Sequence, residues 1–102
     1  MLIYKDKLAT NKSIALGPKG MLSKKHICNF IAKKWIVDKK DEYGKDISFT
    51  SYGNQCDLVT STISKIASDE GYNIPINTLI KILRKEEMTL SQFFIECERE
   101  YF

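Results

Sequence analysis

Residues 58–71 read LVTSTISKIASDEG, and this stretch decides the fold that we expect for the chain. Ile63 and Ile66 are three residues apart and begin one apolar stripe of a helix that starts near Thr60. The other faces of its early turns carry short hydroxyl side chains and a lysine. Residues 69–71 (DEG) end the helix. The stretch therefore predicts a short amphipathic helix with a hydrogen-bonding outer face.

Helical spacing of apolar residues continues on both sides of this stretch. Ser23 is a candidate N-cap for a long first helix that runs toward Gly44, and Ser48 for a short second one. Pro75 fits the first turn of a later helix, and residues 89–92 (TLSQ) have capping-box spacing at the start of the last. The predicted inward residues of these helices are Ile27, Phe30, Ile31 and Trp35; Tyr52, Gly53 and Cys56; Ile76, Leu79, Ile80 and Leu83; and Leu90, Phe93, Phe94, Cys97 and Tyr101.

We therefore predict an all-α fold, a compact bundle of four to five helices that contains a helix-turn-helix. Residues 23–102 would form this domain, since 102 residues bury only one modest core. Residues 1–22 would be an N-terminal extension that could contain a short strand and become ordered on a dimer or on DNA.

Composition excludes several classes of protein. No apolar run approaches the roughly 18 residues of a membrane span, and MLIYKDKLATNK has no signal-peptide core. Three widely spaced cysteines favour reduced thiols and a cytoplasmic protein. With no C-x-x-C and His26 as the only histidine, we predict no metal site and no cofactor. No nucleophile motif or phosphate loop is present, so we predict no catalytic residues and no enzyme.

The charge is unevenly distributed along the chain. Residues 1–46 hold eleven Lys and five acids, a net +6, whereas residues 47–102 hold five Lys or Arg and eight acids, a net −3. A basic half is compatible with a polyanion partner, although a solvated lysine-rich surface has the same composition.

Residues 47–94 resemble the helix-turn-helix core of the Cro and lambda-repressor-like family, also called XRE-type regulators. The segment STISKI, residues 61–66, is similar to the family's recognition-helix motif. Gly53 stands at the small-residue position where the two helices approach, and Leu58 at the apolar turn position. Ile63 and Ile66 follow Gly53 by ten and thirteen residues, as in the family. Residues 75–82 and 88–94 resemble the family's later helices.

The resemblance implies a sequence-specific regulator of transcription, and a repressor is the role that we expect first. The helix near residues 59–69 would read the major groove of double-stranded DNA. The protein would act as a homodimer on a palindromic operator. Its dimer surface would be the N-terminal extension or the aromatic helix over residues 93–102. The implied base-facing residues are Thr60, Ser61 and Lys65, with Thr62 and Ser64 as phosphate or flanking contacts.

Several residues depart from the family pattern. Asp57 replaces the usual turn glycine, although Asp tolerates left-handed geometry better than most residues. Phe49 replaces a glutamine that contacts phosphate. Val59 replaces a capping residue, so we expect Thr60 to take over the cap. The acids at 69–70 stand where basic residues are common and would repel phosphates.

These departures keep a second function open. The chain could be a protein-interaction domain, such as an antitoxin or accessory subunit, that has the helical fold without reading DNA. The lysines discriminate between the two functions: DNA binding predicts that they flank the recognition helix on one surface, and a protein-binding role predicts that they scatter. The lysines concerned are Lys24, Lys25, Lys33 and Lys34.

Overall fold

The computed structural model describes residues 21–102, so the predicted extension and its strand fall almost wholly outside the described residues. The described part confirms the all-α prediction. Apart from an isolated bridge between Lys40 and Asp46, residues 21–102 contain no β-structure. Their helices are α1 (Lys24–Ile31), which continues into a π-helical turn (Ala32–Ile36), α2 (Phe49–Cys56), α3 (Thr60–Ala67), α4 (Ile76–Glu86) and α5 (Leu90–Tyr101).

The first helix begins where the sequence predicts and ends sooner. Ser23 is its N-cap: the Ser23 hydroxyl accepts from the His26 amide at 3.2 Å, and His26 Nδ1 accepts from the Ser23 amide at 3.0 Å. An imidazole thus takes the place of the usual carboxylate or amide of a capping box. The prediction that this helix runs toward Gly44 is wrong, because its π-helical turn ends at Ile36.

A tight loop replaces the missing end of the first helix. Asp38 and Gly44 both have positive φ, 59° and 81°. Between them, the Asp41 carboxylate accepts from the amides of Tyr43 and Lys45 at 2.8 and 3.0 Å. An aspartate that binds nearby amides in this way competes with helix formation, so the loop is the local alternative to a longer helix.

The helices enclose one apolar core. Phe93 of α5 is fully buried and packs edge-on against Phe30 of α1, with ring centroids 5.6 Å apart. The α2–α3 pair joins this core, with α3 packed against α1 and α2 packed against α4. The other large side chains that are fully buried are Tyr52, Ile31, Ile36, Ile63, Ile66, Ile82, Cys28 and Cys97.

Three predicted inward residues are not in this core: Ile76, Leu90 and the half-buried Ile80, in place of which α4 buries Ile82 completely. Ile76 is 55% exposed and Leu90 is 37% exposed. Each is the first residue of its helix, α4 and α5 respectively. At these helix ends the neighbouring helices no longer cover the apolar stripe.

The link between α4 and α5 uses both turn and cap chemistry. Glu87 ends α4 in a left-handed conformation with φ 58°, and the Met88 amide then donates to the Leu83 carbonyl at 3.0 Å. The Thr89 hydroxyl caps α5 by accepting from the Gln92 amide at 3.1 Å. The predicted capping box is only half formed, because the Gln92 side-chain amide donates to Glu96 instead.

Candidate nucleic-acid interface

The elbow between α2 and α3 depends on the missing side chain of Gly53. A Cβ at this position would lie 2.7 Å from the Leu58 carbonyl oxygen and 3.3 Å from Cγ1 of Ile63. The Leu58 amide donates to the Gly53 carbonyl at 2.8 Å. The predicted close approach of the two helices at Gly53 is therefore confirmed, and it sets how near α3 lies to α2.

Asp57 closes the turn between the two helices. It adopts φ 62° and ψ 45°, the left-handed conformation expected of a turn glycine. Lys81 of α4 donates to the Asp57 carbonyl at 3.2 Å and lies 3.5 Å from its carboxylate. The aspartate thus serves the turn geometry and also contacts α4.

A buried tyrosine holds the elbow on α4. The Tyr52 hydroxyl donates to the Glu86 carboxylate at 2.6 Å, and the Lys85 ammonium lies 5.1 Å from the ring centroid and 3.2 Å from Glu86. Burial, followed by the hydrogen bond to Glu86, raises the pKa of Tyr52, so its hydroxyl remains a donor. Tyr52 therefore joins the elbow to α4 by a hydrogen bond as well as by its buried ring.

The hydroxyl groups that were predicted to face DNA lie on the outer side of α3. Thr60, Ser61 and Ser64 are exposed, whereas Thr62 is half-buried. Thr60 Oγ1 lies 2.9 Å from Thr50 Oγ1, which links the first turn of α3 to the first turn of α2. These residues form one polar face, with Thr62 at its edge.

The prediction that Thr60 caps α3 is wrong. Val59 is the N-cap and makes no side-chain hydrogen bond to the helix, while Thr60 is the first helical residue. Because Thr60 already has helical geometry, its side chain lies beside the first turn and bonds to Thr50 instead.

Lys65 is exposed but separate from the hydroxyl groups at the start of α3. Its ammonium lies 5.5 Å from the centroid of the Tyr72 ring, beyond the C-terminal end of the helix. Because Lys65 itself is exposed, this contact with the half-buried ring contributes only about 0.5–1 kcal/mol. The lysine would have to leave this ring to reach a base edge near Thr60.

The segment after α3 brings the start of α1 close to the candidate interface. Gly71 has φ +79°, and a Cβ there would lie 2.7 Å from Lys25 Cγ and 3.4 Å from Lys24 Cγ. Asp69 and Glu70, just before it, are both exposed. Two lysines and two acids therefore share this end of the surface.

Lys33 and Lys34, the other two of the four lysines that distinguish DNA binding from protein binding, lie elsewhere. Lys34 is 3.5 Å from Glu96 of α5. Together with Lys33, Glu100 and Tyr101 it lines an open recess of about 230 Å³. The four lysines are thus divided between the end of α3 and the α1–α5 side, and this division favours the protein-interaction alternative.

Sequence reasoning did not assign Thr50 or Val59 to the candidate interface. Thr50 is recognised only from the packing of α2 against α3, because nothing in its local sequence marks it. Val59 had a visible signal: an apolar residue at an N-cap position, where a hydroxyl or amide side chain is the rule. It is 65% exposed, although it is apolar.

The described residues offer little for metal or thiol chemistry. Within residues 21–102, no three His, Cys, Asp or Glu side chains are grouped so that they could hold a metal ion. All three cysteines are buried free thiols, and burial raises the pKa of Cys97 to about 11. None of the helices in this range has the length and apolar character to cross a membrane. Comparison with family models, curated proteins and solved structures gives no match for this chain.

Proposed function

We propose that this protein is a sequence-specific DNA-binding regulator of the Cro and lambda-repressor-like type. The proposal rests on one observation above all: an elbow without space for a Cβ at Gly53 holds α3 against α2 and leaves the hydroxyl groups of α3 exposed. A short helix held in this way suits entry into the major groove. Exposed Ser and Thr side chains can donate or accept at base edges and let the backbone come close.

Two copies would bind a palindrome, since one eight-residue helix contacts too few base pairs to select a site. Lys24 and Lys25, whose side chains lie beside Gly71 after the end of α3, would contact phosphates flanking the groove. A repressor acting in the cytoplasm is the simplest role for such a dimer.

The second candidate is a protein-interaction domain with the same fold. It is favoured by the position of Lys33 and Lys34 beside α5, away from α3, and by the exposed acids at 69–70. Phe49 at the start of α2 also favours a protein-interaction domain, because its apolar side chain is 36% exposed.

Selection of bound duplexes from a random pool at about physiological salt distinguishes the two, because non-specific binding is weak there. Enrichment of a palindrome is the expected result. A folded helical protein that enriches no sequence would contradict the proposal and leave the protein-interaction domain as the better function.

On the selected site, the double substitution Thr60→Ala and Lys65→Ala should reduce specific affinity and leave the helical content unchanged. The matched control is Ser91→Ala together with Lys33→Ala, which also removes one hydroxyl and one ammonium but away from α3. Affinity should also fall steeply with salt as phosphate contacts release counterions. Unchanged binding by the Thr60/Lys65 variant would show that α3 is not the reading helix.

A further inference from the structure

The exposed side chain of Val59 makes no evident contribution to the stability of the fold. The side chain is 65% exposed and forms no hydrogen bond with the helix that it precedes. A Ser, Thr, Asp or Asn at this position would satisfy a free amide of the first turn and stabilise α3. The chain instead has a β-branched apolar side chain in water.

The surroundings of Val59 are those of the candidate interface. The next residue, Thr60, lies 2.9 Å from Thr50 through their hydroxyl oxygens. Val59 also lines an open recess of about 430 Å³ at the elbow, together with Leu58 and Asp57. The valine therefore stands at the leading end of α3 with free space in front of it.

We propose that Val59 is a specificity-determining residue that contacts the 5-methyl group of a thymine in the major groove. This inference rests on the proposed function. The thymine methyl is the one apolar group that base pairs present in that groove, and apolar side chains recognise it by contact. When the N-terminal residues of a helix contact the base edges, the side chain at its N-cap also comes within reach of such a methyl group.

A valine discriminates in a way that the neighbouring hydroxyls cannot. Thr60, Ser61 and Ser64 can donate or accept at several bases, so each tolerates more than one base pair. Val59 can do neither, and its only favourable partner is another apolar group. A protein partner could also bury Val59, but the exposed hydroxyl groups beside it match polar base edges better than an apolar docking surface.

The test uses the full chain and the duplex obtained by selection. Each thymine of one half-site is replaced in turn by deoxyuridine, which removes only the 5-methyl group and keeps the pairing. At one position the wild-type protein should bind about fourfold more weakly, the value for one lost methyl contact. Val59→Ala should bind the thymine and deoxyuridine duplexes equally at that position.

Two further variants separate readout from folding. Val59→Ser provides the missing cap, so it should unfold at a higher temperature than wild type and yet lose the preference for thymine. Ile95→Ala removes an apolar side chain of α5 that is 49% exposed and should keep the full fourfold preference.

The outcomes are distinct. Absence of any selected site would contradict the proposed function itself. A selected site at which no thymine is sensitive to the methyl, or at which Val59→Ala keeps the wild-type sensitivity, would overturn only the assignment of Val59. Loss of the preference in Val59→Ala and Val59→Ser, with its retention in Ile95→Ala, would establish it.

Discussion

The hydroxyl oxygens of Thr50 and Thr60 lie 2.9 Å apart and join the first turns of α2 and α3. Both residues are exposed, so this bond contributes little to the fold. Its effect is to orient one hydroxyl of the candidate interface through the other. If α3 reads DNA, the two threonines should behave as a unit.

We therefore expect Thr50→Val to weaken specific DNA binding about fivefold, as for the loss of one hydrogen bond. Thr60→Val should have a similar effect, and the double variant should lose little more than either single one, which a double-mutant cycle measures. Ser51→Ala, which removes the adjacent exposed hydroxyl, is the control and should bind as wild type. Additive losses would show that the two hydroxyls act independently.

Gly53→Ala should destabilise the protein by about 1–3 kcal/mol, because the new Cβ would lie 2.7 Å from a backbone carbonyl. The sign is informative, since glycine to alanine within a helix is normally stabilising by up to about 1 kcal/mol. Denaturant unfolding measures the change. Asn54→Ala, one residue later and exposed, should shift stability by less than about 0.5 kcal/mol. A stabilised Gly53→Ala would mean that α3 can move away from α2.

Asp57→Gly should stabilise the protein by about 0.5–1 kcal/mol, because φ 62° is strained for any residue with a side chain. The exposed ion pair with Lys81 that is lost contributes little. Asp57→Ala should be destabilising, as alanine keeps the strain and loses the carboxylate. Lys81→Ala removes the ion pair and also the hydrogen bond to the Asp57 carbonyl, so its loss of stability is an upper limit for the ion pair. If Asp57→Gly is destabilised as well, the ion pair outweighs the strain.

The thiols should resist modification in the folded protein. Cys28, Cys56 and Cys97 are buried, and burial raises the pKa of each. A thiol-specific reagent at pH 8 should therefore label none of them until denaturant unfolds the chain, and should then label all three. Rapid labelling of the native protein would show that one of these thiols is accessible.

The raised pKa values also give a direction for stability against pH. For Cys97 the pKa rises from 9.0 to about 11 on folding, so the folded state holds this proton more tightly. Its contribution to stability is complete below pH 9 and is lost as the pH rises toward 11. Cys97→Ala should be less stable than wild type at pH 8 because of the cavity it creates. It should lose less stability between pH 9 and 11, as measured by denaturant unfolding.

Helix positions were predictable from sequence because apolar residues at Ile63, Ile66, Leu83 and Phe93 follow helical periodicity. The close approach at Gly53 followed from the family resemblance. The early end of the first helix was not predictable from periodicity, since the Asp41 carboxylate satisfies turn amides that a helix would otherwise use. Turn chemistry of this kind depends on one side chain, whereas periodicity averages over many.

The candidate site was predictable only in part. The exposed hydroxyls of Ser61 and Ser64 follow from their positions outside the apolar stripe of α3. The placement of Lys65 over Tyr72 and of Lys34 beside Glu96 depends on how separate helices pack. The sequence shows where the lysines lie along the chain but not the angles between the helices. The distribution of the lysines over the surface could therefore be read only from the structure.

The α2–α3 elbow and the contact between α1 and α5 each join residues of the chain, but the separations along the sequence are very different. Gly53 and Leu58 are five residues apart, whereas the thiol of Cys97 lies 4.0 Å from the carbonyl of His26, 71 residues away. Closing the longer loop costs more chain entropy, so we infer that the α2–α3 pair forms early in folding and that α5 docks on α1 late. Gly53→Ala should then slow refolding, while Phe93→Leu should mainly speed unfolding.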